Sequence, residues 1–251
     1  MKNVLLFFMI LQISSLAQQT DAISRNLKSI SGSISYEVWE YQGTKVAQKS
    51  SMTLNGKKAE LQTDKNLWKC DISETQGNDG SVLMEARFRL EKGTAEQACV
   101  AINFNINEWS TANYVMIPSI VYNGNRYPVI YGGYMPPYPA SMYYNKNSLL
   151  SFSDGPRLSI KQGEPSRIEL SASSASTPCM SFFSPAKKQG FIVLTDLQTA
   201  VGNSGLMVEE NDSRTKATLT ITAPVVREKI PGFGGFFDSG DSAKNWKAGD
   251  E

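Results

Sequence analysis

The 251-residue chain contains no histidine. Imidazole is the side chain that titrates near neutral pH, so its absence excludes Ser-His-Asp and Cys-His triads, histidine-ligated zinc and any imidazole acid or base. Chemistry is left to carboxylates, tyrosine, lysine and cysteine. An excess of either charge is missing too: 25 basic and 24 acidic residues are scattered along the chain and leave +1. That balance offers no electrostatic footprint for nucleic acid or anionic lipid. Cysteine is scarce, at positions 70, 99 and 179. The spacing resembles no metal or redox motif, and an odd number permits at most one internal disulfide. All three read as small buried apolar residues. Neither a metal nor a cofactor is implied.

The N-terminus carries Lys2, then eight apolar residues from Val4 to Leu11, then Ser15-Leu16-Ala17 before polar Gln18. A positive end, a short apolar run and small residues at the last places form a secretory signal peptide, here 1–17. The run is too short to span a bilayer. The expectation is an exported protein, periplasmic or extracellular, without a transmembrane segment.

After that segment, period-two alternation replaces helical periodicity. Ser33 to Trp39, Val82 to Leu90 and Val100 to Ile106 alternate, and Asn55-Gly56 sits between two short β-rich runs as a hairpin signal. Further strands are expected at Tyr114–Val121, 167–170, 180–183, 191–195, 206–209 and 217–222. A dozen or so short antiparallel strands predict an all-β fold, a large antiparallel β-sandwich forming one domain over 18–228. Residues 229–251, rich in glycine and phenylalanine, read as a tail beginning further strand structure.

The phrases "INFNINEWSTANYVMIPSIVYNGNRYPV", "SFFSPAKKQGFIVLTD", "GLMVEEN" and "TKATLTITAPVVRE" fall within residues 102–228, about half the chain. They resemble the N-terminal β-sandwich of secreted Bacteroidetes proteins in which a helical (α/α) toroid follows, as in many glycoside hydrolases and polysaccharide lyases. The resemblance implies a galactose-mutarotase-like supersandwich in a carbohydrate setting. It maps no catalytic residue here, because in such proteins the toroid supplies most of them.

The stretch "YGGYMPPYPASMYY", 131–144, holds five tyrosines, three prolines and no charge. Tyrosine rings offer flat apolar faces to a pyranose and hydroxyls to its rim, and proline stiffens the backbone that carries them. Tyr131, Tyr134, Tyr138 and Tyr143 are therefore candidate carbohydrate contacts, joined by Trp109, Asn123, Asn125 and Arg126 if these segments converge. The competing reading is that the tyrosines cover the sandwich edge or a helical toroid partner.

A self-contained glycoside hydrolase or lyase would need two facing carboxyl groups. Glu108, Asp154 and the pair Glu209-Glu210 are the candidates, although Asp154-Gly155-Pro156 reads as a turn and Glu209 to Asp212 as a solvated hairpin end. A mutarotase mechanism lacks its histidine acid. The main expectation is thus a non-catalytic exported module of carbohydrate processing that contacts glycan or covers a catalytic partner.

Overall fold

A computed structural model describes residues 22–126, 158–159, 162–163, 166–227, 231–232, 235–236 and 240–251. Residues 1–17, read in the sequence as a signal peptide, and 131–144 lie outside the described residues. Helix α1 (Ala22–Ser29) leads into β1 (Gly32–Gln42), β2 (Lys45–Ser51), β3 (Thr53–Asn55), β4 (Lys58–Gln62), β5 (Leu67–Gln76), β6 (Val82–Lys92), β7 (Thr94–Ile106) and β8 (Tyr114–Met116). Then follow β9 (Arg167–Ser171), β10 (Cys179–Ser184), β11 (Gln189–Leu194), β12 (Gln198–Thr199), β13 (Gly202–Asn203), β14 (Gly205–Glu210) and β15 (Ala217–Ala223). Two small strands, β16 (Pro231–Gly232) and β17 (Gly235–Phe236), precede β18 (Lys244–Lys247). The fold is an all-β sandwich of antiparallel sheets.

The main sheet runs in the order β2-β1-β7-β15-β14-β9, and β18 takes the edge of β7 beyond the end of β15. Along β7, Ala98, Val100, Phe104 and Ile106 are buried on one face. Both halves of the covering layer rest on that face. At one end the four-stranded sheet β3-β4-β5-β6 buries Trp68, Cys70, Phe88 and Leu90 against Tyr36, Val38 and Val100. At the other end the sheet β11-β10-β8 buries Val115, Met180 and Phe182 against Phe104, Ile106 and Leu219. Ile34 and Ile102 pack against both cores.

The opposite face of the main sheet explains the alternating asparagines of "INFNI". Asn103 and Asn105 project there, and their amide oxygens accept hydrogen bonds from Thr220 Oγ1 at 2.8 Å and Thr218 Oγ1 at 3.0 Å. Both asparagines also donate to Ser35 Oγ. Side-chain pairing across three strands satisfies polar groups that a central strand otherwise buries at a cost.

Two local features differ from the sequence expectation. α1, eight residues long, is too short for a visible periodicity, yet its Leu27 is buried, as is Ile30 just beyond it. The hairpin turn sits one residue later than Asn55-Gly56 suggests: Asn55 pairs with Lys58, leaving Gly56 at φ +59° and Lys57 in the turn. The tail contributes β18 to the main sheet, where Trp246 meets Trp68 edge-on at 5.0 Å and donates from Nε1 to Ala98 O at 3.0 Å.

The crossing from β6 to β7 depends on Gly93, at φ +89°. A Cβ there would stand 2.2 Å from Lys65 O and Asn66 Oδ1. Left-handed strain and a backbone clash act together, so Gly93→Ala is expected to lower stability by at least about 2 kcal/mol, read as a drop in the urea midpoint. An unchanged midpoint would contradict the crossing described here.

All three cysteines are free and buried. Desolvation pushes the Cys70 and Cys99 thiols up to about 12, and it also raises the Tyr36 and Tyr41 hydroxyls above their ordinary value. Above the ordinary thiol value of 9.0 the unfolded chain releases protons that the folded chain keeps. The folded state then binds more protons, so stability falls as pH rises. The urea midpoint should decline progressively from about pH 9 towards pH 12, and replacing Cys70 and Cys99 by alanine should flatten that decline.

Candidate functional site

Glu210, at the end of β14, gathers several of the residues singled out in the sequence. Its side chain has 0 % exposure. Trp109 Nε1 donates to Oε1 at 2.5 Å, Ser166 Oγ donates to Oε2 at 2.6 Å, and both terminal nitrogens of Arg126 donate to the carboxylate. Arg214 Nε lies 3.6 Å from Oε2 and donates to Ser159 O at 2.9 Å. Glu210 is therefore a buried ion-pair centre and not part of a solvated hairpin end. The alternation of β14 accounts for this: Leu206, Val208 and Glu210 face the core, whereas Glu209 faces outward to Lys49 at 3.2 Å.

Trp109 is only 6 % exposed and stacks on Phe182 at 5.2 Å within the core. Asn125 is buried as well: its Oδ1 accepts from Tyr122 N, and its Nδ2 donates to Ile120 O, both at 2.9 Å. Asn123 is exposed, at φ +52°. Trp109 and Arg126 converge on Glu210 inside the fold, whereas Asn125 holds the backbone of its own loop. They also hold together the two chain ends flanking 127–157, since Arg126 Nη1 donates to Ser159 O at 3.3 Å and Leu158 N to Gly124 O at 3.0 Å. Tyr131, Tyr134, Tyr138 and Tyr143 lie outside the described residues.

Among the described residues the candidate carboxylates do not assemble. Glu108 pairs with Lys187, whose hydrogen bond holds its carboxyl below the usual carboxylate range. A general acid of a glycosidase needs the opposite shift. Glu209 is tied to Lys49, Glu210 to the two arginines, and Asp154 lies outside the described residues. The oxygen-rich turn at Asp79 closes on itself, with Oδ1 accepting from Ser81 N at 3.0 Å and Ser81 Oγ at 2.6 Å. Among the described residues no group of three or more acidic or cysteine side chains can hold a metal ion. No helix among them is long and apolar enough to cross a membrane.

Two surfaces emerge that sequence reading did not single out. On the outer face of β8 and β10, Tyr114 and Phe183 are directly paired, with ring centroids 6.2 Å apart and planes 27° apart. They are 49 % and 42 % exposed, an aromatic ledge flanked by exposed Met116, Ile192 and Leu194. Opposite Phe183 stands Gly190, where a Cβ would come within 2.1 Å of Phe182 O. The ledge was concealed because Phe182 and Phe183 are adjacent in sequence while only the second points outward; the signal was the strand alternation itself.

The second surface is a polar groove of about 660 Å³ across the outer face of the four-stranded sheet, lined by Thr53, Asn55, Glu60, Lys69 and Arg89 among others. Both surfaces belong to the covering layer and face away from the main sheet.

Replacing Glu210 by glutamine would leave Arg126 and Arg214 buried beside a neutral group. A loss of about 3–5 kcal/mol in unfolding free energy is expected. Glu209→Gln, by contrast, should stay within about 0.5 kcal/mol of the parent because its partner is exposed. Equal effects in urea denaturation would refute the assignment of Glu210 as the ion-pair centre. No protein-family model, curated protein or solved structure matches the chain, and its reading rests on its own residues.

Proposed function

We propose that the chain is a non-catalytic, exported β-sandwich module of carbohydrate processing that contacts glycan through exposed aromatic rings. The observation that carries this reading is the Tyr114–Phe183 ledge: two neighbouring rings with planes 27° apart, half open to solvent and seated on a sheet. Rings of this kind take the C–H face of a pyranose, and a sheet fixes them at little entropic cost. The tyrosines of 131–144 supply further rings of the same chemistry. The separate partners of Glu108, Glu209 and Glu210 agree with a binding role in place of a self-contained hydrolase or lyase.

The same face favours one second reading. Ile192 and Leu194 are 62 % and 66 % exposed and extend the ledge with aliphatic area of the kind that suits contact with a helical partner domain.

Binding of the full chain to an array of plant, host and microbial glycans separates the two. Sugar contact predicts binding that falls at least about tenfold in Tyr114→Ala and Phe183→Ala, a loss of about 1.4 kcal/mol each. The change of Tyr131, Tyr134 and Tyr138 together to alanine measures what the second set of rings adds. Absence of glycan binding by the folded protein would overturn the sugar reading and leave the partner-domain reading.

A further inference from the structure

The groove on the four-stranded sheet lies in the other half of the covering layer from the ledge. Its floor is built by cross-strand register. Thr53 pairs with Glu60, Glu60 with Lys69, and Lys69 with Arg89, forming one row across all four strands. Beside it, Asn55 pairs with Lys58 and Lys58 with Asp71. Alternation sends Trp68 and Cys70 into the core while Lys69 and Asp71 face out. With strands about 4.8 Å apart, the row spans about 14 Å.

The row is unusual in what it leaves unpaired. Like charges directly opposite on neighbouring strands oppose pairing, yet Lys69 and Arg89 stand in that relation. Lys69 makes no ion pair among the described residues. Arg89 pairs through Nη2 with Glu91 on its own strand, and its Nε–H is shielded from water without an acceptor. The side chains of Thr53, Asn55 and Glu60 make no hydrogen bond among the described residues. Lys58, by comparison, is 3.8 Å from Asp71, and Arg87 donates twice to Glu85. The groove thus sets Lys69 beside Arg89, which keeps its pair with Glu91, at one end, and the hydroxyl, amide and carboxylate of Thr53, Asn55 and Glu60 at the other.

We propose that this groove is a second ligand site, one that takes an acidic oligosaccharide. A carboxylate of the sugar chain lies over Lys69 and Arg89, where the guanidinium fork and the ammonium give charge-assisted hydrogen bonds. The hydroxyls of the neighbouring rings meet Thr53, Asn55 and Glu60, which supply both donors and acceptors. The proposal rests on the reading of the chain as a glycan-contacting module but uses a surface separate from the aromatic ledge.

Isothermal titration of the full chain with oligogalacturonate, a hyaluronan fragment and a neutral galacto-oligosaccharide of similar length tests it. At least one acidic chain should bind, the neutral chain at least about tenfold more weakly, and affinity should fall as salt rises. Lys69→Gln and Arg89→Gln should each weaken acidic binding about tenfold or more, whereas Arg87→Gln, outside the groove lining, should leave it unchanged. All three positions are on the outer face, and an unaltered urea midpoint verifies folding. Equal affinity for acidic and neutral chains, equal competition by inorganic phosphate, or no acidic binding overturns the groove assignment. Acidic binding lost in Tyr114→Ala but kept in Lys69→Gln and Arg89→Gln also overturns it, while leaving the aromatic ledge as the sugar site.

Discussion

A carboxylate withdrawn from water must find compensating charge and hydrogen bonds, or the fold cannot hold it there. Glu210 meets that demand with two arginines, an indole and a hydroxyl drawn from four separate parts of the chain. The ion pair itself adds little net stability against an apolar substitute. What it does is draw Trp109, Arg126, Ser166 and Arg214 into one arrangement around a single carboxylate. That arrangement fixes the end of β14, the stacking of Trp109 on Phe182 and the meeting of Gly124 with Leu158.

From this centre the geometry reaches the surface. Phe182 stacks under Trp109, and the next residue, Phe183, is turned outward to pair with Tyr114. Burial of one ring therefore orients the exposed one through the pleat of β10. In the other half of the layer, Trp68 and Cys70 anchor β5 against the main sheet, and the same alternation presents Lys69 and Asp71 to the groove. Core packing and surface chemistry are two faces of the same strands.

Much of the architecture was legible from local pattern. "INFNI" declared a strand with unlike faces, and the structure fills one with Phe104 and Ile106 and the other with the Asn103 and Asn105 ladder. Residues 45–51 and 67–76, which became β2 and β5, were less legible. Their outward faces carry lysine, glutamine, serine and acidic residues, so apolar content is low even though β5 buries Trp68 and Cys70. Trp109, Asn123, Asn125 and Arg126 were singled out as sugar contacts should their segments converge, and of these Trp109 and Arg126 meet on Glu210. Their common target was hidden, because Glu210 follows another glutamate and precedes Asn-Asp, a context that reads as solvent.

The sequence by itself determined the all-β class, the absence of imidazole chemistry and the strand alternation that sorts buried from exposed side chains, since each depends on composition or on near neighbours. Only the tertiary structure decided that Glu210 is a buried ion-pair centre, that Tyr114 and Phe183 form a ledge, and that Lys69 and Arg89 stand side by side. Those outcomes depend on cross-strand register between segments separated by up to about a hundred residues. Register is set by the sum of packing along whole strands, which no local stretch of sequence contains.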